Sequence, residues 1–522
     1  MTRALVLFWM VFPACLYAEV QPLTPKPSPK PRINGARVFG VRPGSPFLFT
    51  VAASGERPMK FSAKGLPAGL TLDSASGRIA GRLERPGEYT ALLTARNAQG
   101  SATRSLKIVV GQHLALTPPM GWNSWYCWSE SVSDEKVRRS AKAIIDKGLA
   151  EHGWTYVNID DCWQGKRAGA YRAIQGNGRF PDMQGLADYV HSLGLKFGLY
   201  STPWMGSYGG FIGGSAPTPD GDYSSVALPP DKRLQEFQVF GRWPMARKLG
   251  VQQVGAHWFV DADARQWAAW GVDFVKFDWK PNDPATTERI KNSLDASGRD
   301  MILSLSNEAP FEHASEWARL TNMWRTTGDI RDTWEAVSRI GFSQDRWAPY
   351  TGPGHWLDPD MLQIGSAGVP NTFVRQLKPS RLTPDEQYTQ VTLWAMLAAP
   401  LLLSCDIESM DDFTLGLLTN DEVIDVNQDP LGKPARPLWR KDGTEVWIKD
   451  LEDGGKAAGL FNRTDRPVAL EIAWSDLGLT RPVWVRDVWR QKRLRTAGGP
   501  YCVTVPAHGV HLIRMGPGGK RP

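Results

Sequence analysis

Acidic side chains cluster at the ends of several strand-like segments of this 522-residue chain. A glycosidic bond is hydrolysed by one carboxylate acting as nucleophile or base and one carboxylic acid acting as proton donor. The 23 tryptophans offer flat apolar faces that suit stacking on sugar rings. Those that we expect to line the region of these strand ends are Trp122, Trp125, Trp163, Trp204, Trp279 and Trp324. Any single Asp is equally well explained by capping a helix or pairing with Arg, but that explanation weakens across five strand ends. The acids are Asp160, Asp161, Asp278, Asp329, Asp358, Asp360 and Asp406, with Lys276 and Arg325 beside them.

The sequence contains no motif that indicates binding of a metal, a cofactor or a nucleic acid. There is no Cys-x-x-Cys and no His-Glu-x-x-His, and the eight histidines are scattered, so we predict neither a metal site nor a cofactor. The net charge of +7 comes from 61 basic and 54 acidic residues without a dense basic block, which argues against a nucleic-acid partner. The glycines between Gly209 and Gly214 lie in a long loop, away from any strand-to-helix turn that binds dinucleotides.

Eight strand-like runs alternate with helical stretches between residues 113 and 430. This alternation predicts a (β/α)8 barrel, with a doubly wound open sheet as the competitor. In such barrels the reacting groups lie at the carboxyl ends of the strands, where the acids occur here. The predicted strands are 120–124, 156–161, 196–201, 274–279, 302–306, 323–325, 356–361 and 401–405.

Both flanks of the barrel read as β structure. Residues 33–112 alternate apolar and polar positions between turn signals, which predicts a small β-sandwich. No residue in it forms a catalytic cluster, so we expect a spacer, with a weak binding module as the alternative. Residues 431–517 return to short strands and predict a C-terminal antiparallel β-sandwich. Five prolines in 19–32 predict a stiff extended linker.

The first 18 residues resemble a secretory signal peptide. Arg3 precedes an apolar run that ends near the small residue Ala18, and the run is too short to span a bilayer. We therefore expect a secreted or periplasmic protein without a membrane span, and lipid attachment at Cys15 is a minor alternative. An oxidising compartment permits one disulfide, for which Cys127 and Cys162 are the candidates, against the alternative of four free thiols.

Six segments taken in order resemble glycoside hydrolase family 27, the α-galactosidase family. They extend from residue 114 to the C-terminal sandwich, which is most of the chain. The segments are 119–125 (PMGWNSW), 158–163 (NIDDCW), 276–278 (KFD), 324–330 (WRTTGDI), 352–361 (GPGHWLDPDM) and 427–432 (NQDPLG). Residues 33–112 similarly resemble the immunoglobulin-like modules of bacterial secreted proteins. The resemblance implies a barrel followed by an antiparallel β domain, and an exo-acting enzyme that retains anomeric configuration.

The resemblance also assigns roles to residues. Asp278 is implied as the nucleophile and Asp329 as the acid that protonates the leaving oxygen, at a separation of about 5–5.5 Å. Lys276 is expected to help keep Asp278 ionised. The remaining implied residues contact the galactose hydroxyls or ring, and they are Trp125, Asp160, Asp161, Tyr200, Lys276 and Arg325.

Two departures from the family pattern leave the specificity open. Many members have Cys-Glu-Trp after the fifth strand, whereas this chain has 304–310 (SLSNEAP), so an α-N-acetylgalactosaminidase remains an alternative. A β-L-arabinopyranosidase is another, although Asp160 and Asp161 together favour a sugar with a hydroxymethyl group. A non-catalytic carbohydrate-binding protein is the rival from another class. Residues 202–258 form a longer loop than in compact members, which predicts a narrowed pocket mouth, and the oligomeric state stays open.

Overall fold

The computed structural model describes residues 21–368, 376–478, 484–494 and 499–516. The predicted signal peptide and Cys15 lie outside these residues. Among the helices in the described ranges, none has the length and apolar character needed to cross a membrane.

Eight parallel strands form the central sheet, which confirms the predicted barrel. Leu362 closes the sheet, because its N–H donates to the carbonyl oxygen of Leu402 at 2.9 Å and so joins the segment after the seventh strand to the eighth. In chain order the barrel strands are Met120–Asn123, Tyr156–Asn158, Lys196–Ser201, Phe274–Asp278, Ile302–Ser306, Met323–Arg325, Trp356–Asp358 and Leu401–Leu403.

Five of these strands end one to three residues earlier than the sequence pattern predicts. The difference has a physical reason at the acids themselves. Asp160 and Asp161 follow the second strand in a turn where Cys162 takes a φ of 86°, and Asp360 has a φ of 83° after the seventh strand. These residues have left the sheet, so their side chains are free to face the barrel mouth.

Helices surround the sheet, and two of them begin where the sequence context predicts an N-cap, at Ser133 and at Thr383. The Ser133 hydroxyl accepts from the Lys136 N–H, and Thr383 and Glu386 form a reciprocal capping box. The α-helices are Trp125–Trp128, Asp134–Asp146, Met183–Ser192, Trp243–Lys248, Val260–Trp270, Pro284–Asp295, Ala314–Leu320, Trp334–Gly341, Pro384–Met396, Asp412–Leu418 and Asp421–Asn427. The shorter 3-10 helices are Ser129–Ser131, Leu149–His152, Pro230–Lys232, Phe311–His313, Gln344–Tyr350 and Trp474–Leu477.

Short antiparallel pairs decorate the barrel loops. They are Gln164–Ala168 with Ala173–Gly176, Ser215–Ala216 with His257–Trp258, and Ser366–Ala367 with Lys378–Pro379.

The N-terminal module is strand-rich, as the sequence predicts. Its own core includes buried Phe47, Phe61, Ile79 and Ile108. One sheet contains Val38–Val41, Gly100–Val110, Gly87–Asn97 and Lys60–Lys64, a second contains Pro46–Thr50, Arg78–Arg82 and Leu70–Leu72, and Arg32–Ile33 pairs with Ala53–Ser54.

This module contacts the amino end of the barrel directly. The Arg42 guanidinium donates to Asp300 at 2.6 Å, and the Thr50 hydroxyl donates to the Gly194 carbonyl at 2.7 Å. The proline-rich segment before it also contacts the barrel, because the Leu23 N–H donates to the Tyr388 hydroxyl at 2.7 Å. The module and the segment before it are therefore packed against the barrel.

The C-terminal domain is antiparallel throughout, which confirms the second predicted sandwich. It rests on the barrel helix Pro384–Met396, where the Trp489 indole donates to Thr392 at 2.8 Å. Its larger sheet contains Arg436–Lys441, Thr444–Asp450, Lys456–Asn462, Val510–Gly516, Trp484–Asp487 and Lys492–Leu494, and the smaller pairs Val468–Ile472 with Tyr501–Val505.

Candidate active site

A pocket of about 550 Å³ opens at the carboxyl end of the barrel strands. It gathers seven of the eight site residues that the sequence predicts, from the third and fourth barrel strands and from the segments that follow the first, second and sixth strands. These seven are Trp125, Asp160, Asp161, Tyr200, Lys276, Asp278 and Asp329. The eighth, Arg325, lies behind Asp329.

Asp160 and Asp161 form a rigid acidic pair at the end of the second strand. Asp160 accepts hydrogen bonds from the Asn123 amide and the Lys276 ammonium, both at 2.8 Å. Asp161 accepts from the backbone N–H of Gly209 and of Cys162, both at 2.7 Å. Burial raises the pKa of Asp161 to about 6, although the Gly209 N–H opposes the shift. Both carboxylates are thus oriented before any ligand arrives.

Asp278 ends the fourth strand and is 9% exposed. Its Oδ1 is buried without a protein hydrogen-bond partner. Burial raises the pKa of Asp278 to about 7, and the nearby Lys276 ammonium lowers it by less. Lys276 therefore favours the ionised form, as the sequence analysis expects, but it does not outweigh burial. The ammonium makes its hydrogen bond to Asp160 rather than to Asp278.

Asp329 lies at the outer part of the same pocket, with a side chain that is 52% exposed. The Arg325 guanidinium donates to it at 3.2 Å and also pairs with Asp360 at 2.7 Å. Arg325 itself is 4% exposed, and the carboxylates of Asp360, Asp329 and Asp358 raise its pKa despite burial. Arg325 thus holds Asp329 from behind.

Tyr200 and Trp125 complete the predicted set. The Tyr200 hydroxyl is buried and has no protein hydrogen-bond partner, and its ring centroid lies 5.6 Å from the Lys276 ammonium. The backbone N–H of Trp125 donates to the side-chain oxygen of Asn123 at 2.9 Å, which positions Trp125 at the start of its short helix. Like Asp278, Tyr200 brings an unpaired polar atom to the pocket.

Several pocket residues were not singled out by the sequence reasoning. Tyr208 and Asn307 are neighbours in the pocket wall, where the Asn307 side-chain amide donates to the Tyr208 hydroxyl at 3.3 Å. Asn307 has a φ of 92°, which is uncommon for a residue other than glycine. The unusual segment 304–310 and the long loop 202–258 were the signals available, but neither identifies the individual side chain. The other such residues are Ser129, Glu130, Gly209, Arg242, Trp243, Pro244 and Met361.

Most of the tryptophans expected near the pocket are core residues instead. Trp122, Trp163, Trp204, Trp279 and Trp324 are at most 7% exposed and do not line the pocket. The Trp122 indole, for example, donates to the Cys405 carbonyl at 2.9 Å inside the barrel. The expectation that they line the mouth is wrong, because large aromatic rings fill the space between strands and helices.

The glycine-rich segment 209–214 is packed rather than open. A Cβ on Gly209 would lie 2.9 Å from both Asp161 Oδ2 and Cys162 Sγ, so only glycine allows this close approach. Phe211 in the same segment is fully buried. This segment acts as one wall of the acidic pair.

The predicted disulfide between Cys127 and Cys162 is absent from the described structure. Cys127 lies towards Cys405 and its thiol contacts the Ser124 carbonyl at 3.8 Å, whereas Cys162 lies against Gly209. Burial raises the pKa of the Cys127 thiol well above its usual range. The two side chains therefore serve different parts of the core.

Comparison with known proteins identifies relatives of the whole arrangement. The family model Melibiase_2, described as alpha galactosidase A, matches residues 117–225 and 244–429. Melibiase_C, described as the alpha galactosidase C-terminal beta sandwich domain, matches 441–515, and a model of an immunoglobulin-like domain, He_PIG, matches 30–111.

Individual relatives agree with these models. An alpha-galactosidase of Oryza sativa subsp. japonica is 33% identical over 445 residues, which is 83% of this chain and 92% of that protein. A Bacteroides fragilis crystal structure, provisionally described as an alpha-galactosidase/melibiase, is 32% identical with a TM-score of 0.81, covering 94% of this chain and 98% of that one. A Geobacillus stearothermophilus β-L-arabinopyranosidase, in complex with arabinose, is 30% identical with a TM-score of 0.64, covering 78% and 98%.

Proposed function

Because the chain belongs to the α-galactosidase family of glycoside hydrolases, we propose that it releases terminal α-D-galactosyl residues with retention of configuration. The observation that carries this proposal is the pair of carboxylates, Asp278 and Asp329, on one pocket in contrasting surroundings. Asp278 is buried with an unpaired oxygen, and Asp329 stands at the mouth against Arg325. Their depths in the pocket suit an attacking group at the floor and a proton donor at the mouth beside the leaving group, which are the roles that the family resemblance implies.

In the first step the Asp278 carboxylate attacks the anomeric carbon while Asp329 gives its proton to the departing oxygen. A covalent glycosyl-enzyme forms, and Asp329 then removes a proton from the water that hydrolyses it. Burial strengthens the electrostatic interactions around the reacting atoms, because the local dielectric is low. The Lys276 ammonium supplies a positive charge near both Asp160 and Asp278.

Recognition of galactose is proposed for the acidic pair Asp160 and Asp161. Each carboxylate has oxygens fixed by protein donors, so hydroxyl groups of the sugar must meet them in one geometry. Charge-assisted bonds of this kind discriminate strongly against an epimer that cannot make them. Tyr200 and Trp125 are proposed to contact the sugar, and Lys276 and Arg325 to lie near its 2- and 3-hydroxyls.

A second candidate, α-N-acetylgalactosaminidase, depends on the wall formed by Asn307 and Tyr208. Asn307 belongs to the segment 304–310, which stands where many family members have Cys-Glu-Trp, and its amide can hydrogen-bond either a hydroxyl or an acetamido group. The β-L-arabinopyranosidase alternative is less favoured, because that sugar lacks the hydroxymethyl group for which a pair of acids is useful.

The test compares initial rates on nitrophenyl α-galactoside, α-N-acetylgalactosaminide and β-L-arabinopyranoside. We expect a galactoside preference, α-galactose as the first product by NMR, and loss of all three activities in Asp278→Asn. Preference for the acetamido sugar would keep the mechanism and change the substrate. Release of β-galactose would contradict retention, and full activity of Asp278→Asn would contradict the nucleophile.

Location and domain limits belong to the same proposal. We propose that residues 1–18 direct secretion or periplasmic export, followed by a segment 19–32, an immunoglobulin-like module 33–112, the barrel 113–430 and the β domain 431–517. The sequence of the mature N-terminus, determined on protein purified from each cell fraction, tests the export signal. A mature protein that still begins at Met1 in the cytoplasm would contradict it.

A further inference from the structure

One tryptophan of the pocket differs from the rest in its exposure. Trp243 is 48% exposed, and within the described ranges every other tryptophan is buried or half-buried. It lines the same pocket as Asp278 and Asp329. A large apolar ring is exposed to water at the mouth of this pocket, and a ligand that covers such a ring gains binding free energy.

The segment around Trp243 is not covered by the family model. The alpha galactosidase model matches up to residue 225 and again from 244, which leaves Trp243 outside the matched residues. The position is nevertheless held in place, because the neighbouring Arg242 forms an ion pair with Glu130 after the first barrel strand. Trp243 then begins the helix Trp243–Lys248, with Pro244 in its first turn.

Exposure separates the pocket into an inner and an outer part. Asp160, Asp161 and Tyr200 are at most 2% exposed and form the inner part. Asp329 and Trp243, each about half exposed, belong to the outer part. If the galactosyl ring occupies the inner part, as the proposed function requires, the leaving group must extend past Asp329 into the outer part.

We propose that Trp243, with Pro244 beside it, is a binding subsite for the sugar ring that carries the α-galactosyl group. The flat C–H face of a pyranose stacks on an indole, whereas its hydroxyls stay in water at the rim. The preferred substrates are therefore galactosylated oligosaccharides rather than galactosides of small non-sugar groups. This inference depends on the proposed function, since it names the leaving group of that reaction.

The test uses two substrates that differ only in the leaving group. α-Galactosyl fluoride has no second ring, and raffinose has a sugar attached to the galactose. For Trp243→Ala we expect kcat/KM on raffinose to fall about tenfold, as for one lost aromatic stacking contact, with no change on the fluoride. Trp243→Phe should recover part of the loss. Leu234→Ala is the matched control, because Leu234 is exposed in the same loop but does not line the pocket.

Three results would overturn the subsite. These are an equal fall on both substrates, no fall on raffinose, or a fall of the same size in Leu234→Ala. A wild-type protein that leaves the fluoride intact would instead contradict the proposed function, and the subsite with it. If the wild type hydrolyses the fluoride and Trp243→Ala keeps the wild-type kcat/KM on raffinose, the subsite is contradicted and the proposed function is not.

Discussion

Two buried aspartates at opposite ends of the fourth barrel strand show how differently the protein treats the same side chain. Asp273 precedes the strand at the module-facing end, where His191 at 2.8 Å and Arg299 at 2.7 Å pair with it. Burial alone would raise its pKa, but these partners lower the pKa of Asp273 to about 2. Asp278 at the other end has an unpaired oxygen and a pKa of about 7. The carboxylate at the amino end of the strand is therefore paired with basic side chains, whereas the carboxylate at the pocket end keeps one oxygen without a protein hydrogen-bond partner.

The same division holds for the surroundings of each aspartate. At the amino end, Arg42 of the N-terminal module pairs with Asp300, so the interface there is tied by ion pairs. At the pocket end, unpaired atoms such as the Tyr200 hydroxyl and Asp278 Oδ1 await a ligand. A site that binds a polyhydroxylated sugar needs such unpaired groups, at a cost in stability that the rest of the barrel offsets.

Replacing Asp278 with Asn should produce the largest effect on activity. We expect kcat to fall by at least about 10³-fold, because the amide cannot attack the anomeric carbon. The measurement is hydrolysis of nitrophenyl α-galactoside, normalised to folded protein. Asp273→Asn is the control at the other end of the strand and should keep the wild-type kcat. A similar loss in both variants would contradict the division of roles.

Replacing Asp273 with Asn should produce the larger effect on stability. The change leaves Arg299 and His191 without their buried partner, which costs about 3 kcal/mol of unfolding free energy in urea titrations at pH 7. Because the pKa of Asp273 is lowered on folding, its stabilisation is present above pH ~4 and is lost as the pH falls towards about 2. The gap between variant and wild type should therefore narrow across that window. A gap that widens on acidification would contradict the assignment.

The stability of Asp278→Asn should change with pH in the opposite sense. The pKa of Asp278 is raised on folding, so its ionisation destabilises the wild type increasingly from pH ~4 to about 7. Above pH 7 the variant should be more stable by about 2 kcal/mol, and near pH 4 the two should agree. Thermal unfolding across this pH range measures the difference. A variant that is equally stable or less stable than the wild type at pH 8 would show that ionisation of Asp278 does not destabilise the folded protein.

Removing the charge of Lys276 should give a smaller shift in the pH profile. The ammonium lowers the pKa of Asp278, so Lys276→Met should move the acidic limb of kcat/KM to higher pH by about 1. Lys276→Arg retains the charge and should leave the limb near its wild-type position, even if the rate falls. An unshifted limb in Lys276→Met would mean that another group sets it.

How far the sequence predicts the molecule depends on the kind of signal. The strand runs and the capping residues Ser133 and Thr383 are local, so the pattern locates the eight barrel strands within three residues at each carboxyl end. The acids at those ends follow from the barrel rule and from resemblance to a family. The predictions of a Cys127–Cys162 disulfide and of a set of pocket-lining tryptophans were wrong, because both depend on where side chains point after packing.

The sequence by itself determined the order of the domains, the barrel and the acids that follow its strands, since these depend on periodicity and short motifs. Only the tertiary structure decided that Asp278 is desolvated while Asp273 is paired, that Arg325 holds Asp329 from behind, and that Trp243 stands at the pocket mouth. The physical reason is that burial, charge pairing and exposure are properties of groups brought together from distant parts of the chain.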